Sequence, residues 1–315
     1  MNTEDQELIN VRKGENFDNS LLREYLLSNL KIKDNNLEIL QFAGGHANLT
    51  YLIKFGTEEF VLRRPPLGPI APSSHDMNRE HKVQSSINKV FPLVPKSLLF
   101  CDDETVIGAK FHIIERRKGH VIRKIMRSEL ENSKEKIREL SFKMLDIVSD
   151  LHKINPSKIG LGDLGKPDGF ILRQLNGWED RWKKASESKF TETRFDKLLS
   201  HLRSNIPKPQ AATILHNDFK LDNIMWDEND PLIPVAVFDW DMCTIGDPLM
   251  DIGHMLNYWI EENDDNDCNL ITSMPSKNIM YPSRSEMINY YAEKSGFHIN
   301  DIDWYYSFGA FKFTS

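Results

Sequence analysis

The chain has 315 residues, 40% of them hydrophobic and 28% charged, with a formal net charge of −7. That supplies apolar material for one large or two smaller lobes and excludes a disordered chain. The acidic balance argues against nucleic acid as a partner, and no apolar run approaches the roughly 20 residues that cross a bilayer, so no membrane partner is expected.

The first element expected is a helix over LLREYLLSNL, with Leu22, Tyr25 and Leu26 at helical spacing behind a Ser20 cap. Three strand-like runs follow: LEILQFA, NLTYLIKF and EEFVLRR. Gly44-Gly45 separates the first two and Gly56-Thr57 the second from the third, which predicts an antiparallel meander of hairpins. Pro65, Pro66, Pro69 and Pro72 break the chain, and Ser73 or Ser74 is the expected cap of a helix through HDMNREHKVQSSI. KSLLFCD and AKFHIIE read as two more strands. The expectation is an α+β first lobe over 1–116, with 1–36 as a helical extension, and a larger, mostly helical second lobe over 117–315. In the second lobe 130–153 reads as one long amphipathic helix, with Ile137, Leu140, Met144, Val148 and Leu151 on one face. Cys101, Cys243 and Cys268 are widely spaced, with no C-x-x-C, and the N-terminal stretch lacks the apolar core of a secretory signal. A reducing, cytoplasmic setting is expected.

The chemistry concentrates in 213–251. An apolar strand delivers His216 and Asp218 into a turn, Asn223 follows, and a second apolar strand, PVAVF, ends on Asp239. Protein kinases use this H-x-D-x(4)-N segment and following Asp as catalytic loop and metal site. Phosphoryl transfer needs positioning and neutralised charge. Asp218 suits the catalytic base that orients an acceptor hydroxyl. Asn223 and Asp239 offer hard oxygens to Mg²⁺. Lys220 either neutralises the transferring phosphoryl group or is a solvated charge. Upstream, Arg63 ends the third strand where kinases place a phosphate-binding Lys, and Glu80 lies on the next helix where its ion-pair partner belongs. Gly44, Gly45, His46, Ala47 and Asn48 occupy the place of a phosphate-covering loop, although a plain hairpin also wants glycine.

HNDFKLDN, VFDWD and IGDPLMDIG together resemble the aminoglycoside phosphotransferase-like family, with Asn217 replacing the usual small residue. GGHANLTYLI, the Pro-rich stretch after Arg63-Arg64, and RQLNGW are similar to the branch fused to some acyl-CoA dehydrogenases. The resemblance covers about 37–315. It implies a bilobal protein-kinase-like fold, with a small antiparallel sheet and one main helix in the first lobe. It also implies ATP and Mg as cofactors and a hydroxylated small-molecule acceptor. The backbone around Glu115 and Arg117 would bind the adenine. Asp251 would hold the catalytic loop or simply sit at a helix start. His216 would be structural, and Asp241 would lie near the metal or substrate. Relatives continue the C-terminal helix, so DWYYSFGAFKFTS is expected to be a shortened one.

Only a few residues separate Asp239 from Gly246-Asp247-Pro248, which leaves no room for a protein-kinase activation segment. A small-molecule kinase is therefore the leading expectation. The branch resemblance favours a hydroxyacyl-CoA or other hydroxylated metabolite, with Arg64, Arg173 and Arg181 either meeting a CoA phosphate or serving as plain surface charges. An aminoglycoside kinase would need an acidic pocket, for which the acidic 261–269 loop is the candidate, though a solvated loop explains it as well. A non-catalytic nucleotide-binding protein is the third reading.

Overall fold

A computed structural model of the protein describes residues 7–43, 48–68, 76–186, 193–261, 263–264, 272–275 and 280–313. The chain divides into two compact units, Met1–Arg117 and Lys118–Ser315.

The first unit is built on an antiparallel sheet. Its strands are β1 (Leu8–Ile9), β2 (Leu37–Phe42), β3 (Leu49–Phe55), β4 (Glu58–Arg64), β5 (Ser97–Cys101) and β6 (Phe111–Glu115), in the order β1-β2-β3-β4-β6-β5. Helix α1 (Asn19–Asn29) buries Leu22 and Leu26 against one face, in a core with Tyr51, Ile53, Phe55, Leu62, Phe111 and Ile113. Those sheet residues share one parity along each strand, as a period of two requires. The same alternation sends the neighbouring arginines to opposite faces. Arg64 follows Leu62 onto the α1 face, where it is 3% exposed and donates to the Ile107 carbonyl at 3.0 Å. Arg63 points the other way, toward helix α2 (Met77–Ile87).

Three local expectations are corrected here. Helix α1 is capped by Asp18, whose carboxylate accepts from the Ser20 and Leu21 N–H groups, rather than by Ser20. Helix α2 is capped by Asp76, which accepts from the Arg79 N–H, rather than by Ser73 or Ser74, which lie outside the described residues. Asp equals Ser as a cap, so the choice turns on where the chain first bends. The 1–36 segment also holds a strand: β1 pairs with β2 and extends the sheet.

The second unit is mostly helical. The helix expected over 130–153 is two, α3 (Ser128–Glu131) and α4 (Lys134–His152), because Ser133 interrupts the run and caps α4 by accepting from the Lys136 N–H. Helices α5 (Phe170–Ser186), α6 (Thr193–Ser204), α7 (Leu249–Tyr258), α8 (Arg284–Ser295) and α9 (Ile302–Phe313) follow. Five short strands make two small ladders. One has the order β10-β9-β7, from Pro234–Val237, Ile224–Trp226 and His120–Val121. The other pairs β11 (Thr244–Gly246) with β8 (Thr213–Leu215). Among the described residues no helix is long and apolar enough to cross a membrane.

Helices α7 and α9 meet where neither presents a side chain. A Cβ on Gly253 would come within 2.5 Å of the Tyr305 carbonyl oxygen, and one on Gly309 within 2.8 Å of the Gly253 carbonyl oxygen. Gly253→Ala is therefore expected to destabilise the protein by about 1–3 kcal/mol, because the obstacle is backbone and cannot swing aside. A melting temperature equal to wild type would disprove this close approach.

Candidate active site

The loop between β8 and β9 carries most of the site. Its backbone is held from below by Asp251 on α7, which is wholly buried. Asp251 Oδ2 accepts from the His216 N–H at 2.8 Å and Oδ1 from the Asn217 N–H at 2.6 Å. His152 Nε2 lies 3.1 Å from the same Oδ2, and His152 Nδ1 shares a 2.7 Å hydrogen bond with Tyr291 Oη. Asn217 has φ +65°, a left-handed conformation. Glycine adopts it freely and asparagine is among the few other residues that tolerate it, which accounts for Asn at this point in the motif. Its side-chain amide donates to the Met242 carbonyl at 2.9 Å.

His216 is structural and specific. Its Nε2 donates to the Phe238 carbonyl at 2.7 Å, and its Nδ1 accepts from the Asp218 N–H at 3.3 Å. One ring thereby ties the loop to the residue before Asp239. The β9–β10 ladder does the same from the other side: Val237 pairs with Ile224, and the Phe238 N–H donates to the Asn223 carbonyl at 2.8 Å. Asn223 and Asp239 thus stand at the same end of one ladder. Asp239 has φ +66°, the second left-handed non-glycine residue among those described. Backbone strain of this kind persists only where the surroundings over-determine it.

The side chain of Asn223 donates to the Asp218 carbonyl at 2.7 Å and to Asp218 Oδ2 at 3.2 Å. Both bonds use the amide nitrogen, which leaves the amide oxygen as the end that could act as a hard ligand. Lys220 Nζ lies 3.1 Å from Asp218 Oδ2 and 4.0 Å from Asp222 Oδ2, and stands over the Tyr258 ring. The other oxygen, Oδ1, accepts from Tyr258 Oη at 3.4 Å and lies 3.6 Å from His254 Nε2.

These surroundings decide the charge state of Asp218. Burial works to raise its pKa, but the His254 imidazole, the Lys220 ammonium and His216 outweigh burial and hold the carboxyl well below its ordinary range. For Lys220, burial pushes down and the carboxylates of Asp218, Asp222 and Asp239 push up further, so the ammonium is held above its usual value. Asp222, partly desolvated and next to Asp218, is raised. The loop therefore holds a firmly ionised carboxylate against a firmly protonated lysine.

In the first unit, Arg63 Nε lies 3.1 Å from Glu80 Oε1, with Glu80 only 1% exposed. Gln84 Nε2 donates to the same oxygen at 3.3 Å. At the end of β6, Arg117 Nε donates to Glu115 Oε1 at 2.7 Å, and the Glu115 N–H donates to the Lys96 carbonyl at 2.9 Å. Any adenine contact there must use other backbone atoms. Asn48 is buried just before β3, while Gly44, Gly45, His46 and Ala47 lie outside the described residues.

Other expectations change. Arg64 is in the interior and unavailable to a ligand phosphate. Arg173 is tied to the Asp168 and Lys166 carbonyls. Arg181 stacks over Trp178 at 4.4 Å. Most of the acidic 261–269 loop is outside the described residues, and its described acids, Glu261 and Asp264, both pair with Arg284. His254, Tyr258 and Lys312 surround the loop without having been singled out in the sequence. Asp251, His254 and Tyr258 recur at i, i+3 and i+7 on the largely apolar α7, and that polar stripe is the signal that would have found two of them.

The model of the phosphotransferase enzyme family matches residues 38–268. The chain belongs to this family. It is 28% identical over 305 residues to acyl-CoA dehydrogenase family member 11 of Homo sapiens, across 95% of this chain and 38% of that protein. The chain thus spans about two fifths of the length of that relative. A Ralstonia eutropha protein assigned as an aminoglycoside phosphotransferase shares the fold with TM-score 0.77 and 26% identity, covering 94% of this chain and 86% of that one. The streptomycin–ATP ternary complex of APH(2'')-IIa shares it with TM-score 0.56 and 16% identity, over 91% and 84%. These likenesses and the two units above make this phosphotransferase-family chain a kinase-like α+β fold.

Proposed function

We propose that the chain is an ATP- and Mg²⁺-dependent kinase that phosphorylates a hydroxyl group of a small molecule. The observation that carries this reading is Asp218: a carboxylate held ionised, with Oδ2 on Lys220 and Asn223 and Oδ1 turned to His254 and Tyr258. Such a group orients an acceptor hydroxyl and takes its proton late, once bond formation has made that proton acidic. Lys220 stands ready to balance charge on the transferring group.

The donor set suits a hard cation. Asn223 Oδ1 and the Asp239 carboxylate would hold Mg²⁺, which characteristically binds through one or two protein oxygens plus substrate phosphates. When bound, the ion neutralises charge on the nucleotide phosphates. Arg63, held by Glu80, is the phosphate-binding cation of the first unit.

The acceptor is a hydroxylated metabolite, and hydroxyacyl-CoA thioesters are the leading class, because the relatives carry acyl-CoA dehydrogenase names. Only Trp240 to Cys243 lie between Asp239 and β11, which leaves a peptide substrate no activation segment to dock on. A polycationic aminoglycoside is disfavoured by the half-buried Lys312 beside the loop and by the pairing of Glu261 and Asp264 with Arg284. A non-catalytic nucleotide binder would have little use for Asp218, Asn223 and Asp239 together.

The test is ADP formation from ATP with a panel of hydroxyacyl-CoAs, hydroxy acids and aminoglycosides, with and without EDTA. At least one hydroxylated acceptor is expected to stimulate turnover, and EDTA to abolish it. ATP binding without stimulation by any acceptor would sink the kinase reading, and full activity in EDTA would sink the metal assignment.

A further inference from the structure

One half-buried cation has no part in binding or catalysis in the reading above. Lys312, in the last turn of α9, donates to the Asn217 carbonyl at 2.8 Å, one residue before Asp218. It also stands 5.4 Å from the centroid of the Trp178 ring, which Arg181 covers at 4.4 Å. An ammonium has three N–H donors, and one neutral carbonyl with an aromatic face meets only part of that demand.

Lys312 lines a pocket with Gln174, Trp178, Met242, His254 and Phe308, and its enclosed part is about 20 Å³. That is room for one water or one carbonyl group. His254 lines the same pocket and is 7% exposed, and its Nδ1 has no hydrogen-bond partner among the described residues. Its other nitrogen faces Asp218 at 3.6 Å. With the Nε2–H toward Asp218, Nδ1 is left as an acceptor, and a buried, unpartnered acceptor calls for a donor from a ligand or an ordered water. The pocket therefore joins apolar walls, one cation and one unpaired imidazole nitrogen, and it shares His254 and Asn217 with the surroundings of Asp218.

We propose that this pocket anchors the acceptor, with Lys312 holding an acyl oxygen, of a carboxylate or a thioester carbonyl, on the same short carbon chain as the hydroxyl that Asp218 orients. This rests on the kinase reading. Trp178, Met242 and Phe308 wall the space that the acyl carbonyl enters, and Lys312 sets the register of the chain outside it so that the hydroxyl reaches Asp218. Lys312 is thus a specificity residue.

The electrostatics give the pocket a pH signature. Burial brings the Lys312 ammonium down to about 8, with Arg181 from α5 and Lys220 from the loop adding to the fall and Asp218 and Asp251 opposing it. His254 on α7 faces it as well. The grip on an acyl oxygen therefore weakens as pH rises through about 8.

The experiment is competitive reductive methylation of Lys312 in the full chain near neutral pH, read by mass spectrometry, with 3-hydroxybutyrate, 3-hydroxybutyryl-CoA or 2-butanol present. The acid or the thioester is expected to slow methylation of Lys312 selectively, and which of them does so identifies the source of the oxygen. The proposal is overturned if neither protects, or if 2-butanol, which lacks the acyl oxygen, protects equally. In turnover, Lys312→Met keeps the apolar stem and is expected to raise KM for the protecting acceptor about 10–100-fold, the worth of one charged hydrogen bond. It should leave KM for ATP unchanged and remove the rise of acceptor KM on the alkaline side. An unchanged acceptor KM also overturns it. Protection needs no turnover, so a protected but inert chain would fail the kinase reading alone.

Discussion

Asp218→Asn is expected to lower kcat about 10²–10⁴-fold, the usual worth of a positioned acid–base group, while ATP binding stays within a few-fold of wild type. The substitution keeps the shape, and the amide oxygen can still accept from Lys220. It removes the one atom pair able to take the acceptor proton. The pH profile supplies a second readout. Asp218 is held below its ordinary value, against burial, by His254, Lys220 and His216. A carboxyl so depressed is ionised throughout the range above its unfolded value of about 3.9. The wild-type rate should therefore show no acid limb from Asp218 near neutrality, and any limb there must belong to another group. A variant with more than a tenth of wild-type kcat would remove Asp218 from the role of base.

The same residues show what a sequence can and cannot disclose. Asp218, Lys220 and Asn223 lie within six positions of one another, and Asp239 ends the next strand, so a local pattern holds the loop chemistry. Arg63 and Arg64 are adjacent, yet the pleat alone decides that one meets Glu80 and the other the Ile107 carbonyl. The meander of β2, β3 and β4 was legible because Gly56 and alternating apolar residues mark it. Strand β1 was not, since a two-residue strand carries no period. The caps of α1 and α2 went to Asp rather than Ser because both satisfy the same N–H groups. Lys312 was invisible for a different reason: it lies 95 positions from Asn217, and only the packing of α9 on α7 brings its ammonium to the loop.

Asp251→Ala is expected to cost about 3–5 kcal/mol, the loss incurred when one member of a buried charged cluster is removed. Three donors then lose their acceptor together: the His216 N–H, the Asn217 N–H and His152 Nε2. The His216 N–H and His152 Nε2 cannot turn to water, because Asp251, His152 and His216 are all at most 1% exposed. For a unit of this size that corresponds to a fall in Tm of roughly 6–20 °C. Function should suffer beyond stability. The left-handed turn at Asn217 is held by the bond to Asp251 Oδ1, so relaxation there shifts Asp218 relative to Asn223, and kcat should fall even well below the new Tm. Asp251→Asn is the sharper probe: it fills the same volume but turns an NH₂ toward N–H groups that need an acceptor. The pH sign follows from the same contacts. Burial pushes the Asp251 carboxyl up, but His152, His216 and the His216 N–H hold it below its ordinary value. Its stabilising contribution is therefore full above the unfolded value of about 3.9 and is lost as pH falls through the lower folded value. Wild type should lose stability in that acid window and Asp251→Asn should not show the same dependence. Thermal melts of the three proteins from neutral to acid pH decide the matter. A variant melting within 1 °C of wild type would mean that the loop is held by the His216 bridge to Phe238 and not from α7.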